Sequence, residues 1–187
     1  MLPKISVIIP CKNEQQNLAT CIASARLLAD EVLVADSGST DKTLEIANQL
    51  ADVVVERDYV NSGDFKNWAI PQARHAWIFI LDADERISVE LAEEIQLVLA
   101  KQNQSTTNQR LAFSVPRLNY LFGHPVRYGD WSQDRVVRLI RRDDCRYQLH
   151  TDHAEIDVPS SRLGHLQQKL THYTAWDPIT YLQKMTH

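Results

Sequence analysis

Apolar positions recur along the first hundred residues with two periods in turn. "KISVIIP" (residues 4–10) is rich in β-branched side chains, Ile5, Val7, Ile8 and Ile9, and reads as a short buried strand that Pro10 is expected to stop. Leu18, Ile22, Ala25 and Ala29 then return at helical spacing on one face. "EVLVA" reads as a second strand ending at Asp36, "STDKTLEIANQLA" as a capped helix carrying Leu44, Ala47 and Leu50, and "DVVVE" as a third strand. "FKNWAIPQA" predicts a short helix disturbed by Pro71, "WIFIL" a fourth strand, and "SVELAEEIQLVLAKQ" a long amphipathic helix. Strands alternating with helices in this way predict an α/β fold, with parallel strands and crossover helices on both faces.

The second half is less regular. "QNQSTTNQR" (residues 102–110) is polar and marks a boundary inside one domain, between residues 1–101 and 111–187. "NYLFGHPVRYGDW" contains Gly123, Pro125 and Gly129 and reads as a loop, whose Tyr120, Phe122, Tyr128 and Trp131 either line a sugar groove or anchor the core. In "RVVRLIRR", alternation puts Val137 and Leu139 inward and Arg138 outward. The arginines at 135, 138, 141 and 142 then read either as a solvated strand edge or as a site for phosphate groups, on an acceptor or on anionic lipid headgroups. "HYTAWDPITYLQKMTH" reads as the start of a helix that stops abruptly, in a truncated chain or a short homologue.

Size and charge narrow the classes. A chain of 187 residues suits one domain with one substantial core. A formal charge of −4 supplies no general basic field for nucleic acid or an acidic membrane surface. Cys11, Cys21 and Cys145 are odd in number and form no CxxC pair, which argues against a disulfide framework or a zinc-thiolate site and for a reducing, cytoplasmic setting. No run approaches the ~18 apolar residues of a membrane span, and "MLPKISVIIPCKNE" is interrupted too soon for a secretory signal.

The chemistry concentrates where strands run out. Ligands of open α/β sheets bind outside the carboxyl ends of the strands, so Asp36, Asp82 and Asp84 are expected to converge on one crevice. Asp36 and Asp82 read equally as turn or capping residues. The pair in "DAD" is more telling. Two carboxylates one residue apart repel unless a cation or solvent relieves them, and a hard divalent ion suits such a pair. His150 and His153 also have a metal-compatible spacing, but no third ligand is evident.

In this order, "VIIPCKNEQQNL", "VLVADSGSTDKTLEIA", "FKNWAI" and "WIFILDADERIS" resemble the family 2 glycosyltransferases, inverting, nucleotide-sugar-dependent enzymes of the A-type fold. "PRLNYLFGHPVRYGDW" and "RVVRLIRR" narrow the resemblance to the lipopolysaccharide-core β-glucosyltransferase branch, and it covers nearly the whole chain. The resemblance implies a Rossmann-like, mostly parallel sheet flanked by helices, with a nucleotide-sugar half at 1–101 and a smaller acceptor side at 111–187. It implies that Asp82 approaches the ribose and that Asp84 ligates the Mg²⁺ or Mn²⁺ bridging the diphosphate. It further implies that Asp36 accepts a hydrogen bond from the base and that Pro10, Asn13 and Glu14 shape the loop over it. Lys66 would stand near the nucleotide, the alternative being a solvated surface lysine.

Inversion at the anomeric carbon needs a base on the acceptor side. Relatives in the branch commonly read His-Glu after a short strand, whereas this chain reads "TDHAEID", so that His153 matches, Ala154 follows and the acid arrives at Glu155. Glu155 is the leading base and Asp152 the next, although both also read as surface acids. Trp131, Arg138 and Arg141 are the candidate acceptor or phosphate contacts.

The expected function is transfer of a hexose from a nucleotide sugar, UDP-glucose by resemblance, to a hydroxyl of a glycan or lipid-linked acceptor in cell-envelope polysaccharide or lipopolysaccharide-core synthesis. The expected setting is cytoplasmic, with contact at the inner face of the membrane as one option and no nucleic-acid partner. A sugar-phosphate nucleotidyltransferase would want a glycine-rich loop after the first strand, and "PCKNEQQN" has no glycine. A dinucleotide-dependent oxidoreductase lacks its GxGxxG. A catalytically silent sugar-nucleotide or partner-binding module stays open because of Ala154 and the abrupt end.

Overall fold

The computed structural model describes residues 2–104, 109–149 and 155–175. Its elements run β1 (Ile5–Cys11), α1 (Leu18–Ala25), β2 (Glu31–Asp36), α2 (Thr43–Leu50), β3 (Val53–Glu56), α3 (Ser62–Ala69), β4 (Trp77–Ile80), β5 (Glu85–Arg86) and α4 (Val89–Gln104). The later part adds β6 (Ala112–Leu121), β7 (His124–Pro125), β8 (Arg135–Arg141), β9 (Leu163–His165) and β10 (Leu170–Ala175). The main strand order is β3-β2-β1-β4-β8-β6-β10-β5, and the first four strands are parallel.

Alternation along these four strands builds a core on each face of the sheet. Ile5, Val7 and Ile9 of β1 pack on one face with Leu18 and Ile22 of α1 and with Leu91 and Ile95 of α4. Ile8 joins Leu33, Ile78 and Ile80 on the other face, under Phe65 and Ala69 of α3. The predicted crossover helices on both faces are therefore present. Pro71 ends α3 as expected, and the chain leaves through a 3-10 turn at Ile70–Gln72. Pro10 does not end β1, which continues to Cys11. The carbonyl of Ile8 accepts from the Leu81 amide on the β4 side, and Pro10, two residues on, faces that same side beyond the last β1–β4 pair, Ile8 with Ile80. No ladder bond is lost by its missing N–H.

Beyond β4 the sheet turns antiparallel. β8 runs against β4 and β6 against β8, while β10 is parallel to β6 and antiparallel to β5. This corrects two readings of the sequence. The arginine-rich strand is interior rather than an edge, and Arg138 is buried rather than outward. The cause is a bulge. Phe113 pairs Leu139 and Ser114 pairs Val137, so Arg138 is the extra residue and the alternation changes phase there. Leu139 consequently packs in one core and Val137 against the other. Of the segment beginning at His172, residues 172–175 are strand rather than helix, because Leu170–Ala175 pairs along β6, and residues 176–187 lie outside the described residues. Asn119, Tyr120 and Leu121, read as loop, close the same β6 strand, and Tyr120 packs on Tyr173 with ring centroids 5.2 Å apart. Among the described residues, no helix is long and apolar enough to cross a membrane.

Candidate active site

The ends of β1 and β2 are tied together before they meet any ligand. Asn13, at φ 55, donates its amide to Ser39 Oγ and accepts from the Thr40 amide, while the Glu14 amide donates to Thr43 Oγ1. Asp36 anchors the β2 side of this junction. It is fully buried, and its carboxylate accepts from the amides of Gly38 and Ser39 and from the Ser39 hydroxyl. Gly38 stands at φ 88, a backbone that an L side chain strains to adopt. The capping reading of Asp36 thus describes its place: its oxygens hold the loop, and Ser37 lines the cleft beside it.

After β4 the chain turns tightly through Asp82, Ala83 and Asp84. The Glu85 amide donates to the Asp82 carbonyl and the Asp82 amide to Glu85 Oε2, so Glu85, fully buried, braces the turn from below. Arg138 reaches out of its bulge to pair with Asp82 and with Glu85, the latter at 2.6 Å. Arg117 continues the network, 3.8 Å from Glu85 and bonded through Nε to Asp134 at 2.7 Å. Lys66 Nζ lies 3.3 Å from Asp82 on its other side and 5.4 Å above the Tyr147 ring, so it is held at the Asp82 turn rather than spread in solvent. Burial alone would raise the Asp82 carboxyl, but the Arg138 guanidinium and the Lys66 ammonium hold it well below the usual carboxylate range. Burial pushes Glu85 the other way, upward, with Arg138 opposing and Asp82 reinforcing the rise.

Lys66 is aimed by the packing of α3. A Cβ on Gly63 would stand 2.7 Å from the Gln148 carbonyl oxygen, so only glycine lets the first turn of α3 approach the segment around Tyr147 and Gln148. Asn67 then clamps the two, donating to the Tyr147 carbonyl and accepting from its amide at 2.9 and 2.8 Å.

Asp84 meets a residue that the sequence did not single out. The Tyr173 amide donates to the Asp84 carbonyl, and His172 Nε2 lies 3.6 Å from Asp84 Oδ2. The His172 tautomer follows from its neighbours. Asn119 gives both amide hydrogens away, to the Trp131 carbonyl and to Asp134, which leaves its oxygen to accept from His172 Nδ1 at 2.7 Å. The other ring nitrogen, Nε2, faces the Asp84 carboxylate, so that one nitrogen and one oxygen donor point toward the same space. The donor set suits Mg²⁺ or Mn²⁺, and among the described residues no group of three or more ligating side chains forms.

Two clefts share this turn. One, of about 410 Å³, is lined by Pro10, Glu14, Ser37, Tyr59, Asp84 and His172 among others. The second, of about 520 Å³, lies toward β8 and includes Arg117, Arg135, Arg138, Tyr147 and Glu155. Ser62, Lys66 and Asp82 belong to both. The structure thus brings together Pro10, Glu14, Lys66, Asp82, Asp84, Arg138 and Glu155, while Asn13 and Asp36 act one layer behind. Arg141 is not with them. It pairs across from Trp77 at the opposite end of β4, with its guanidinium 5.5 Å from that ring and 3.5 Å from Asp144. Trp131, 38% exposed, lines neither cleft. Asp152, His153, Ala154 and His150 lie outside the described residues. Glu85, Arg117, Tyr147 and His172 are the site residues to which sequence reasoning gave no role.

Comparison with known proteins agrees with this geometry. The family model described as glycosyl transferase family 2 matches residues 6–153. The lipopolysaccharide core biosynthesis glycosyltransferase LpsC of Rhizobium meliloti is 32% identical over 171 residues, 88% of this chain and 61% of LpsC. An uncharacterized glycosyltransferase of Rickettsia bellii is 40% identical over 115 residues, 62% of this chain and 38% of that protein. The chain thus spans between 38% and 61% of the length of these two relatives. Among solved structures, S. aureus TarS 1–349 in complex with UDP-GlcNAc superposes with a TM-score of 0.66 at 17% identity, covering 92% of this chain and 59% of that one. A mannosyltransferase of Pyrobaculum calidifontis, in complex with GDP-Man and Mn²⁺, matches at a TM-score of 0.50 and 23% identity over 63% of this chain and 36% of its own. With a family model matched over most of its length, an A-type fold and paired carboxylates at the carboxyl ends of its strands, the chain belongs to glycosyltransferase family 2.

Proposed function

We propose that this chain carries the donor site and the reacting centre of an inverting glycosyltransferase, which moves a hexose from a nucleotide sugar, UDP-glucose or a close analogue, to a hydroxyl of a glycan or lipid-linked acceptor in cell-envelope polysaccharide or lipopolysaccharide-core synthesis. The observation that carries the reading is the Asp82–Asp84 turn standing between two clefts that share Lys66 and Asp82. A nucleoside diphosphate fits the cleft of Asp84, His172 and Tyr59, and the acceptor the cleft of Glu155 and Tyr147. LpsC, a lipopolysaccharide core biosynthesis glycosyltransferase, and TarS, solved in complex with UDP-GlcNAc, support the reading.

Asp84 and His172 would hold Mg²⁺ or Mn²⁺, and the Pyrobaculum mannosyltransferase was solved with Mn²⁺. Such an ion supplies Lewis-acid neutralisation of the departing diphosphate. The protein does the rest. Lys66 and Arg138 keep Asp82 ionised at the junction, where it orients ribose or sugar hydroxyls. Glu155 takes the proton of the attacking hydroxyl; its main chain is fixed by the Gln148 amide, which donates to its carbonyl at 2.8 Å. The three cysteines are free and buried, which suits the reducing, cytoplasmic setting included in the proposal, as is contact with the inner membrane face.

Release of UDP from UDP-glucose, with and without glycan acceptors, tests the reading. Glu155→Gln is expected to lower turnover by about 10²–10⁴-fold with UDP affinity unchanged. Full turnover in that variant would take the role of base from Glu155, and no UDP release by the wild type under any condition would favour a silent binding module.

A further inference from the structure

The cleft on the β8 side holds four cationic side chains, Lys66, Arg117, Arg135 and Arg138. Three are matched by carboxylates: Lys66 and Arg138 by Asp82, Arg138 also by Glu85, and Arg117 by Asp134. Arg135 is different. Among the described residues its guanidinium bonds only to neutral oxygens, Ser114 Oγ at 3.3 Å, the Ser114 carbonyl at 3.2 Å and the Leu166 carbonyl at 2.7 Å. Three bonds from β6 and from the residue after β9 fix the fork in place without neutralising it. Glu155 lines the same cleft and makes no ion pair with it. Two buried donors among the residues lining the cleft, Arg138 Nε and the Tyr147 hydroxyl, also lack a hydrogen-bond partner among the described residues. Arg135 is exposed, so its guanidinium is open to a ligand entering the cleft; held by neutral oxygens and, among the described residues, matched by no carboxylate, it suits an occupant rich in anionic oxygen.

We propose that Arg135 recognises an anionic group, a phosphate or a carboxylate, on the acceptor sugar, so that this enzyme takes a charged glycan rather than a neutral one. The inference rests on the glycosyltransferase reading for the word acceptor, but the site stands on its own residues. The donor diphosphate does not account for Arg135, which lines the β8-side cleft and not that of Asp84 and His172. Arginine suits the task because its planar fork meets two oxygens of a phosphate or carboxylate at once. With Arg135 holding the anion and Glu155 in the same cleft, the attacking hydroxyl is oriented by the charge its own sugar carries.

The test titrates glucose 6-phosphate, glucuronate and glucose into the full chain, once with saturating UDP and Mn²⁺ and once without. The wild type is expected to bind at least one of the two anionic sugars about tenfold or more tightly than glucose, the scale of one charge-assisted hydrogen bond. The two anions separate a phosphate site from a carboxylate site. Arg135→Gln should lose the preference and keep its UDP affinity, whereas Arg141→Gln, at the far end of β4, should keep both. If Arg135→Gln does not fold, Arg135→Lys, which retains the charge but not the fork, must still bind the anions more weakly than the wild type. Equal binding of all three sugars by the wild type, or an undiminished preference in the Arg135 variants, overturns the proposal. Failure of UDP to bind with Mn²⁺ would instead strike the glycosyltransferase reading, and the titration without nucleotide would still judge Arg135.

Discussion

Strands β1, β2 and β4 bury Ile, Leu and Val on both faces, whereas β6 and β8 carry Arg117, Asn119 and Arg138 into the sheet and stitch them to Asp82, Glu85 and Asp134. Both parts are ordered, but by different means. The parallel part is fixed by apolar area, which is non-directional and tolerates small changes. The antiparallel part also buries Phe113, Val115, Leu139 and Ile140, but adds ion pairs that work only as a complete set, since a buried charge deprived of its partner is far costlier than a lost methyl group. The lesson concerns function: the apolar part sets where the strand ends are, and the ionic part sets which way the site carboxylates point.

Breaking the ionic part should therefore have the largest effect. Arg138→Leu leaves Glu85 fully buried beside Asp82, and chemical denaturation is expected to record a loss of about 3–5 kcal/mol, toward the lower figure because Arg117 stands 3.8 Å from Glu85. A loss below about 1 kcal/mol would mean that the network contributes little. Ile78→Val, in the middle of β4, should cost about 0.5–1.5 kcal/mol and leave UDP affinity unchanged, because the sheet gives up one methylene and no direction. The smallest effect belongs to an ion pair at the rim of the parallel part. The Arg26 guanidinium beside Asp52 holds its carboxyl below the ordinary aspartate value of about 3.9, with both side chains about two-fifths exposed. A depressed value means that the folded state binds fewer protons, so the stabilisation is present above that ordinary value and disappears as pH falls through the lowered one. Asp52→Asn should then cost at most about 1 kcal/mol at neutral pH, and the two curves should converge in acid.

The same contrast explains what could be read in advance. The periods of β1, α1, β2, α2, β3 and α4 are local properties, so Ile5, Val7 and Leu91 announce their own faces. Asp82 and Asp84 were legible because a carboxylate pair after an apolar strand is itself a local pattern. Arg138 was misread because its bulge exists only through pairing with Phe113 and Ser114, which nothing in "RVVRLIRR" reveals. Asp36 could be read two ways, and of these the bonds to the amides of its own turn are a local pattern. His172 gave no signal at all. Its value lies in standing opposite Asp84 with its ring held by Asn119, and both partners, one in the turn after β4 and one in β6, are distant in sequence.

Calorimetric titration of UDP, with and without Mn²⁺, into the wild type, Asp84→Asn and His172→Gln tests most directly the claim that the turn after β4 and the strand β10 together form a metal-assisted diphosphate site. Mn²⁺ is expected to strengthen UDP binding to the wild type and to lose that effect in both variants, with metal-free UDP affinity and thermal midpoint nearly unchanged. An equal Mn²⁺ enhancement in all three proteins would contradict the account.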